Sequence, residues 1–513
     1  MSLPATSKHR HAPDGLILTI ACVAQFMVVL DVSIVNVALP TIQRDLGFSY
    51  SGIQWVLNAY VLTFAGFLLL GGRAADFFGR RLVFLCGTGL FTLASIGAGF
   101  AHTEAQMVIA RAVQGLGGAI LSPATLTIIV TTFAGPRLPK AIGAWSAVAG
   151  AGGAAGTLLG GMLTGWLTWR WIFFINVPIG IGVAALAALY LQEIRVQSGA
   201  SKLDLAGSFL VTGGLTSLVF GIVNVATIKN GHELGWGSTT VLTWIGIGLL
   251  FLIAFVLWEL KVATRPLVPF RIFRVRSLVA ADLVMLLIGG AFFSMWYFLT
   301  FYLQSVLGYS ALKAGFAFAP MALAIVLGAQ ISSRLIHHHG VRNLVFFGAG
   351  LATLGFYGLS KIHPHSSYFP AVIGPAMVCA FAMGILFTPL ATAATAGVDR
   401  SESGLASGIL NTSRQVGGSL GLAILATLAA SATASQFHTT STGATGSYNL
   451  LCQIHPSQML YSTCKAAETH GFNVAFLISA GITATALVAA FLIPKTTKEN
   501  HVAGAPPIPV IPE

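Results

Sequence analysis

Long apolar runs, each about twenty residues or more and separated by short polar stretches, fill this chain from about residue 15 to 493. The runs fall at 15–38, 51–72, 82–101, 105–130, 141–166, 171–191, 205–226, 240–260, 277–304, 314–335, 343–361, 369–395, 405–431 and 471–493. A bilayer core of about 30 Å needs about 20 apolar residues per helix, so the pattern predicts fourteen membrane-crossing helices. The first run is too long for a signal-peptide core and has no convincing small-residue cleavage site, so it is expected to stay as helix 1.

Composition supports lipid as the solvent. Of 513 residues 55% are hydrophobic and 8% charged, against about 25% charged in ordinary globular chains. The formal charge of +12 does not point to nucleic acid, because the charges sit mainly in short loops. Nineteen Lys/Arg fall on the side of the N-terminus and six on the other. The positive-inside rule then places both termini in the cytoplasm and the protein in the cell (cytoplasmic) membrane.

An internal repeat is visible. A shift of 261 aligns Arg73, Gly79, Arg81, Gly87 and Gly97 with Arg334, Gly340, Arg342, Gly348 and Gly358, and a shift of 265 aligns Gly143, Gly152, Gly153 and Gly156 with Gly408, Gly417, Gly418 and Gly421. Helices 1–6 and 9–14 are therefore expected to form two parallel halves, an arrangement with its substrate site near the midplane. The expected division is a cytoplasmic tail at 1–14, a six-helix half at 15–200, two inserted helices at 201–262, a second half at 263–495 with an outer loop at 432–470, and a tail at 496–513. Helices 7 and 8 are expected at the periphery.

The loop from Gly71 to Arg81 contains Gly72, Asp76, Gly79 and Arg80. Its glycines allow a tight turn, and Asp76 near the start of helix 3 can meet that helix's positive end and the neighbouring arginines, a candidate gating latch. With Leu30–Pro40 of helix 1 and the run Arg111-Ala112-Val113-Gln114-Gly115-Leu116-Gly117-Gly118, this loop resembles motif A, the first-helix motif and motif B of the major facilitator superfamily, in its fourteen-helix drug:proton antiporter branch (EmrB/QacA type). The resemblance covers about residues 15–495. It implies an all-α polytopic fold of two six-helix halves plus two inserted helices, and proton-coupled export of lipophilic drugs. Gly152, Gly156 and Gly160 resemble motif C, which normally carries Gly-Pro; here Thr157 follows Gly156.

Depth arithmetic points to the same place. Asp31 lies about 24 Å into helix 1 and Arg111 about 9 Å into helix 4 from the opposite side, so the two are nearly level. An intramembrane acid is costly unless paired, and marks function by default. Burial favours the neutral acid and a nearby arginine the carboxylate, so conformation would decide whether Asp31 holds a proton. A purely structural ion pair is the alternative.

Polar groups in apolar helices need partners, which makes Asn36, Asn58, Tyr60, Gln114, Gln304, Asn411 and Arg414 candidates for the substrate cavity. Arg414, near the midplane, has three open roles: substrate contact, anchor for an acid, or a tie between helices. Asp282, closer to the cytoplasmic boundary, is expected to be structural. With acids this scarce in the spans, a lipophilic monocation or neutral molecule fits better than a dication. The sequon at Asn411 lies within a span, and His337–His339 has no second ligand cluster, so neither glycosylation nor metal binding is expected.

No lysine follows a glycine, so the phosphate-cradling Gly-Lys of an ATP-driven pump is missing; no nucleophile–base or metal spacing suggests an enzyme. No cofactor is expected. The expected partners are a small lipophilic substrate, protons and membrane lipid around a monomer. Two other readings stay open: transport of a single physiological metabolite, and a non-transporting membrane sensor. Cys452 and Cys464 share an outer loop, an oxidising setting, and are expected to form a disulfide.

Overall fold

The computed structural model describes residues 13–49, 51–133, 137–193, 203–229, 232–264, 266–399, 402–440, 452 and 458–494. The terminal tails and the remainder of the expected outer loop lie outside the described residues. Fourteen principal helices follow the fourteen apolar runs: α1 (Asp14–Leu46), α2 (Trp55–Phe78), α3 (Arg80–Gly99), α4 (Glu104–Thr132), α5 (Arg137–Trp166), α6 (Asn176–Tyr190), α7 (Leu205–Asn224), α8 (Thr239–Lys261), α9 (Arg276–Phe301), α10 (Ala319–His339), α11 (Val341–Leu359), α12 (Ile373–Thr395), α13 (Ser403–Thr440) and α14 (Gln458–Ala489). Short helices at Trp171–Phe174 and Ala311–Ala317 lead into α6 and α10. Among the described residues, twelve spans are long and apolar enough to cross a membrane. The other two runs, in α5 and α11, are helical as well. The chain is a multi-pass membrane protein.

The near side of the bundle is the one where α1 begins, and the far side is the one where it ends. Local chemistry sets the helix limits. Gly47, at φ 74°, stops α1 and returns its N–H to the carbonyl of Gln43. Thr103 starts α4 by accepting from the Gln106 N–H at 3.2 Å. The repeat shows in the backbone too: Gly79 (φ 105°) precedes α3 and Gly340 (φ 76°) precedes α11, both in the positive-φ range that a side chain disfavours.

Within each half, small residues let helices touch backbone to backbone. Cβ atoms added at Gly152 and Gly160 would stand 3.2 Å from the Phe26 carbonyl and 2.7 Å from that of Ile34, which binds α5 tightly to α1. The same construction recurs between α13 and α9, where Gly417 lies on the Leu286 carbonyl and Gly421 on Gly290. On the far side the halves meet. Gly161 and Gly165 of α5 pack on Ala311 and Leu312 ahead of α10, Gln304 donates to the Val37 carbonyl of α1 at 2.8 Å, and Ser419 of α13 donates to Asn58 of α2 at 3.0 Å.

Helices α7 and α8 pack as a hairpin closed by two short antiparallel strands, β1 (Ile228–Lys229) and β2 (His232–Glu233). Helix α7 lies against α2 of one half and α13 of the other, and α8 is the least buried of the twelve spans. The near end of the hairpin is tied down by acids. Asp204 caps α7 by accepting from the Gly207 N–H and also accepts from Trp258 Nε1, while Glu259 accepts from the Val268 N–H at 3.1 Å. Glu259 is thus a third acid within a span, beside Asp31 and Asp282, though on the hairpin rather than in either half.

Two boundaries differ from expectation. α13 continues to Thr440 and α14 begins at Gln458, so the expected loop 432–470 is shortened from both ends. Hydropathy marks where a helix leaves lipid, not where its backbone hydrogen bonds stop, and neither extension contains a glycine or proline before Thr440 or between Gln458 and His470 to break it.

Candidate functional site

Four apolar helices bring polar groups to the same buried point: Asp31 from α1, Ser95 from α3, Arg111 and Gln114 from α4, and Asn176 from α6. The Asp31 and Arg111 side chains, 0% and 1% exposed, form an ion pair at 2.6 Å between Oδ2 and Nη1. Gln114, one turn along α4, donates from Nε2 to Asp31 Oδ1 at 2.7 Å and accepts from Arg111 Nη1 at 2.6 Å. Asn176, at the first turn of α6, donates to the same Asp31 oxygen at 2.9 Å. Ser95 of α3 accepts from both amides and donates to the Phe173 carbonyl. The arginine is held by more than the acid: its Nε donates to the Val56 carbonyl at 3.0 Å and its guanidinium lies 4.4 Å from the centre of the Tyr60 ring.

The chemistry is that of a carboxylate with its charge fully matched. Asp31 accepts one charge-assisted and two neutral hydrogen bonds in a place that side chains enclose completely. Protonating Asp31 would cancel the pair and leave Arg111 as an uncompensated buried cation.

Tyr60 and Gln114, expected on an open cavity wall, are instead enclosed in this cluster at 1% and 0% exposure. The reason is general: in an apolar medium a polar side chain is drawn to the nearest polar group, and Asp31 and Arg111 are the strongest ones present. Asn36 donates to the Val32 carbonyl on its own helix at 3.0 Å. Asn58 and Gln304 take part in the far-side contacts between halves. Arg414 donates to Asn411 at 2.7 Å, with Phe387 5.7 Å from its guanidinium, so these two form a separate, partly exposed group on α13.

The gating-loop geometry also differs. α2 runs unbroken through Asp76 to Phe78, so Asp76 belongs to its last turn and not to the start of α3; its side chain lies outside the described residues. The acid at the N-terminus of α3 is Glu193, from beyond α6, which accepts from the Leu82 N–H at 3.2 Å and closes over Gly79. Arg80 is buried beside it, and Gly72 faces Pro123 of α4. Arg73 donates to the Pro266 carbonyl at 2.6 Å and Arg81 to that of Ala188. Ser95, Asn176 and Glu193 were missed because a single serine or asparagine in an apolar run carries no spacing signal, and Glu193 lies in a polar stretch where an acid is unremarkable.

Cys452 and Cys464 are joined by a disulfide with their Cα atoms 5.8 Å apart, at the far-side end of α14. Among the described residues no group of three or more His, Cys, Asp or Glu is placed to hold a metal ion.

A bundle of membrane-crossing helices in two repeated halves, with an ion pair sealed in one of them, is the build of a secondary transporter. Residues 21–422 match the model of the Major Facilitator Superfamily, and the chain belongs to that family. It is 44% identical to the cephamycin export protein CmcT of Amycolatopsis lactamdurans, over 83% of this chain and 87% of that protein. It is 36% identical to the puromycin resistance protein pur8 of Streptomyces alboniger over 98% and 97% of the two chains, and 33% identical to the tetracenomycin C resistance and export protein of Streptomyces glaucescens over 82% and 77%. Among solved structures, a bacterial homologue of the lysosomal transporter Spinster superposes with a TM-score of 0.65 at 17% identity, covering 95% of this chain and 98% of that one, a likeness of fold.

Proposed function

We propose that the protein is a proton-coupled antiporter that exports a lipophilic, antibiotic-like small molecule across the cytoplasmic membrane by alternating access. The observation that carries the reading is the sealed Asp31–Arg111 pair with its amide partners Gln114 and Asn176. A proton arriving at Asp31 breaks the charge match, and the halves respond by exchanging which side is open. The names of the relatives, for cephamycin, puromycin and tetracenomycin C, support an antibiotic as cargo. Because each of those names carries a single compound, export of one metabolite is the second reading.

The near side is then cytoplasmic. The excess of Lys/Arg in near-side loops and the far-side disulfide both favour that orientation. Residues 15–200 and 263–495 act as the moving halves around 201–262, in a monomer. Asn36, Asn58, Gln304, Asn411 and Arg414 would line the path as the halves part, and the stretch from Gly72 through Asp76 and Gly79 to Arg80 would latch it from the near side. The test is uptake by inverted vesicles under an imposed pH gradient across a panel of cationic, neutral and anionic drugs. Uptake that follows the gradient supports the proposal, and uptake indifferent to it rejects proton coupling.

A further inference from the structure

Asp282 of α9 has an environment opposite to that of Asp31. It is 8% exposed, and the one polar group beside its carboxyl oxygens is the Ser413 hydroxyl, which does not reach them in full hydrogen-bond geometry. Its position follows from the α9–α13 contact: Leu286 meets Gly417 and Gly290 meets Gly421, and one turn earlier along both helices the same register sets Asp282 beside Ser413.

The elements packed against α9 include α1, α12, α13, α14, the turn Phe270–Arg274, the turn Tyr302–Val306 that continues α9, whose Tyr302 donates to the His363 carbonyl, and Ala490–Leu492; Tyr461 of α14 lies under Lys465. Their charged and titratable groups are accounted for without Asp282. Arg414 of α13 is bonded to Asn411, Arg271 is paired with Glu402, Asp31 of α1 is paired with Arg111, and Arg44 donates to the Pro40 carbonyl. Asp14 and Asp45, at the two ends of α1, are paired with Arg137 and Arg170. α12 carries no charged residue, and its Cys379 contacts the Ala352 carbonyl. Lys465, Glu468 and His470 of α14 belong to its far-side end, while Arg274 and Arg276 flank the start of α9. Cys22 of α1 is buried. Among the described residues no ion pair reaches Asp282.

A carboxylate with no counter-charge and a single neighbouring hydroxyl is costly to bury, whereas the neutral acid is tolerated. The geometry points to Asp282 as a second proton-binding site, neutral and loaded in this conformation while Asp31 is ionised and paired. The exchange is a simple dissociation: the carboxylic O–H breaks, the carboxylate keeps the electron pair, and the proton passes to near-side water when α9 and α13 separate along the Ser413 rung. Two acids with opposite protonation in one state make two titratable steps per cycle available. The coupling of that proton to transport rests on the antiport reading, but its presence on Asp282 does not.

The experiment uses the full-length protein in lipid nanodiscs and in vesicles. Infrared difference spectra around neutral pH should show the carbonyl stretch of a buried neutral carboxylic acid in the unmodified protein and in Asp31→Asn. The Asp282 component of the band should be absent in Asp282→Asn, with the component of Glu259 remaining, and present, shifted, in Asp282→Glu, which also shows that the fold tolerates a change there. In inverted vesicles, with ethidium as the probe, the steady accumulation limit of Asp282→Asn should fall by about tenfold per unit of imposed pH difference, as expected for one proton fewer per cycle. A band unchanged in Asp282→Asn would overturn the site. Loss of the Asp282 component with an unchanged accumulation limit would overturn its role in coupling. If no variant and no parent shows gradient-driven uptake, the antiport reading fails and with it the coupling, while the band alone decides the site.

Discussion

Ser419 of α13 donates to Asn58 of α2 at 3.0 Å, a side-chain bond between the two repeated halves. With the Gln304 bond to the Val37 carbonyl and the contact of Gly161 with the Ala311 carbonyl, it closes the far side. On the near side, Arg73 donates to the Pro266 carbonyl and Leu69 of α2 lies against Gly408 of α13. Contacts that exist in one state of an alternating transporter bias its equilibrium by whatever they contribute in that state alone.

Removing one such contact should therefore shift the population. Gln304→Ala deletes a bond between halves of about 1 kcal/mol, equivalent to about a fivefold change in the ratio of closed to open far side. Modification of a cysteine placed near Val37 by an impermeant thiol reagent added on the far side should speed up accordingly. An unchanged rate would mean that the bond does not distinguish the states.

The glycine contacts should tolerate no added bulk. In Gly417→Val the new side chain meets the Leu286 backbone, and the helices must separate, at a cost of about 1–3 kcal/mol. Gly153, whose Cβ position is open, should accept alanine with little effect. Thermal unfolding followed by size-exclusion chromatography compares the two directly, and equal losses would contradict the packing argument.

Much of this was legible in the sequence, for physical reasons. A bilayer imposes one length and one polarity on every span, so fourteen runs gave fourteen helices. The repeated Gly79 and Gly340 announced the halves because positive φ restricts the choice of residue. Asp31 and Arg111 stood out since a charge in lipid demands a partner. What stayed hidden depended on side-chain direction or helix continuity. Gln114 and Tyr60 turn inward to the ion pair, Asp76 stays in α2, and Glu193 replaces it at α3. A polar residue in a span is obliged to find a partner, but nothing in the linear pattern says which one.

Arg111 should be more damaging to lose than its partner. Arg111→Ala leaves a buried carboxylate unpaired, at about 3–5 kcal/mol, and Arg111→Lys cannot reproduce the simultaneous bonds to Val56, Gln114 and Asp31. Asp31→Asn combined with Arg111→Leu should recover folded protein without recovering transport. Yields of monodisperse protein for these three variants and for Asp31→Asn alone test this order.

The disulfide should report sidedness. Cys452 and Cys464 in intact cells should be inert to an impermeant thiol reagent until reduced, then react from outside. The closed loop is worth about 3 kcal/mol locally by the loop-entropy model. Reaction from the cytoplasmic side alone would invert the proposed topology.

If Asp31 couples proton entry to export, the most direct measurement is gradient-driven drug uptake by inverted vesicles carrying Asp31→Asn, with insertion and folding verified beside the unmodified protein. Binding of the drug should survive, because the amide oxygen can still accept from Gln114 and Asn176 and Arg111 keeps its bonds to Val56 and Gln114 although it loses its counter-charge, while the response to an imposed pH gradient should be abolished. Full gradient-driven uptake by that variant would contradict a coupling role for Asp31.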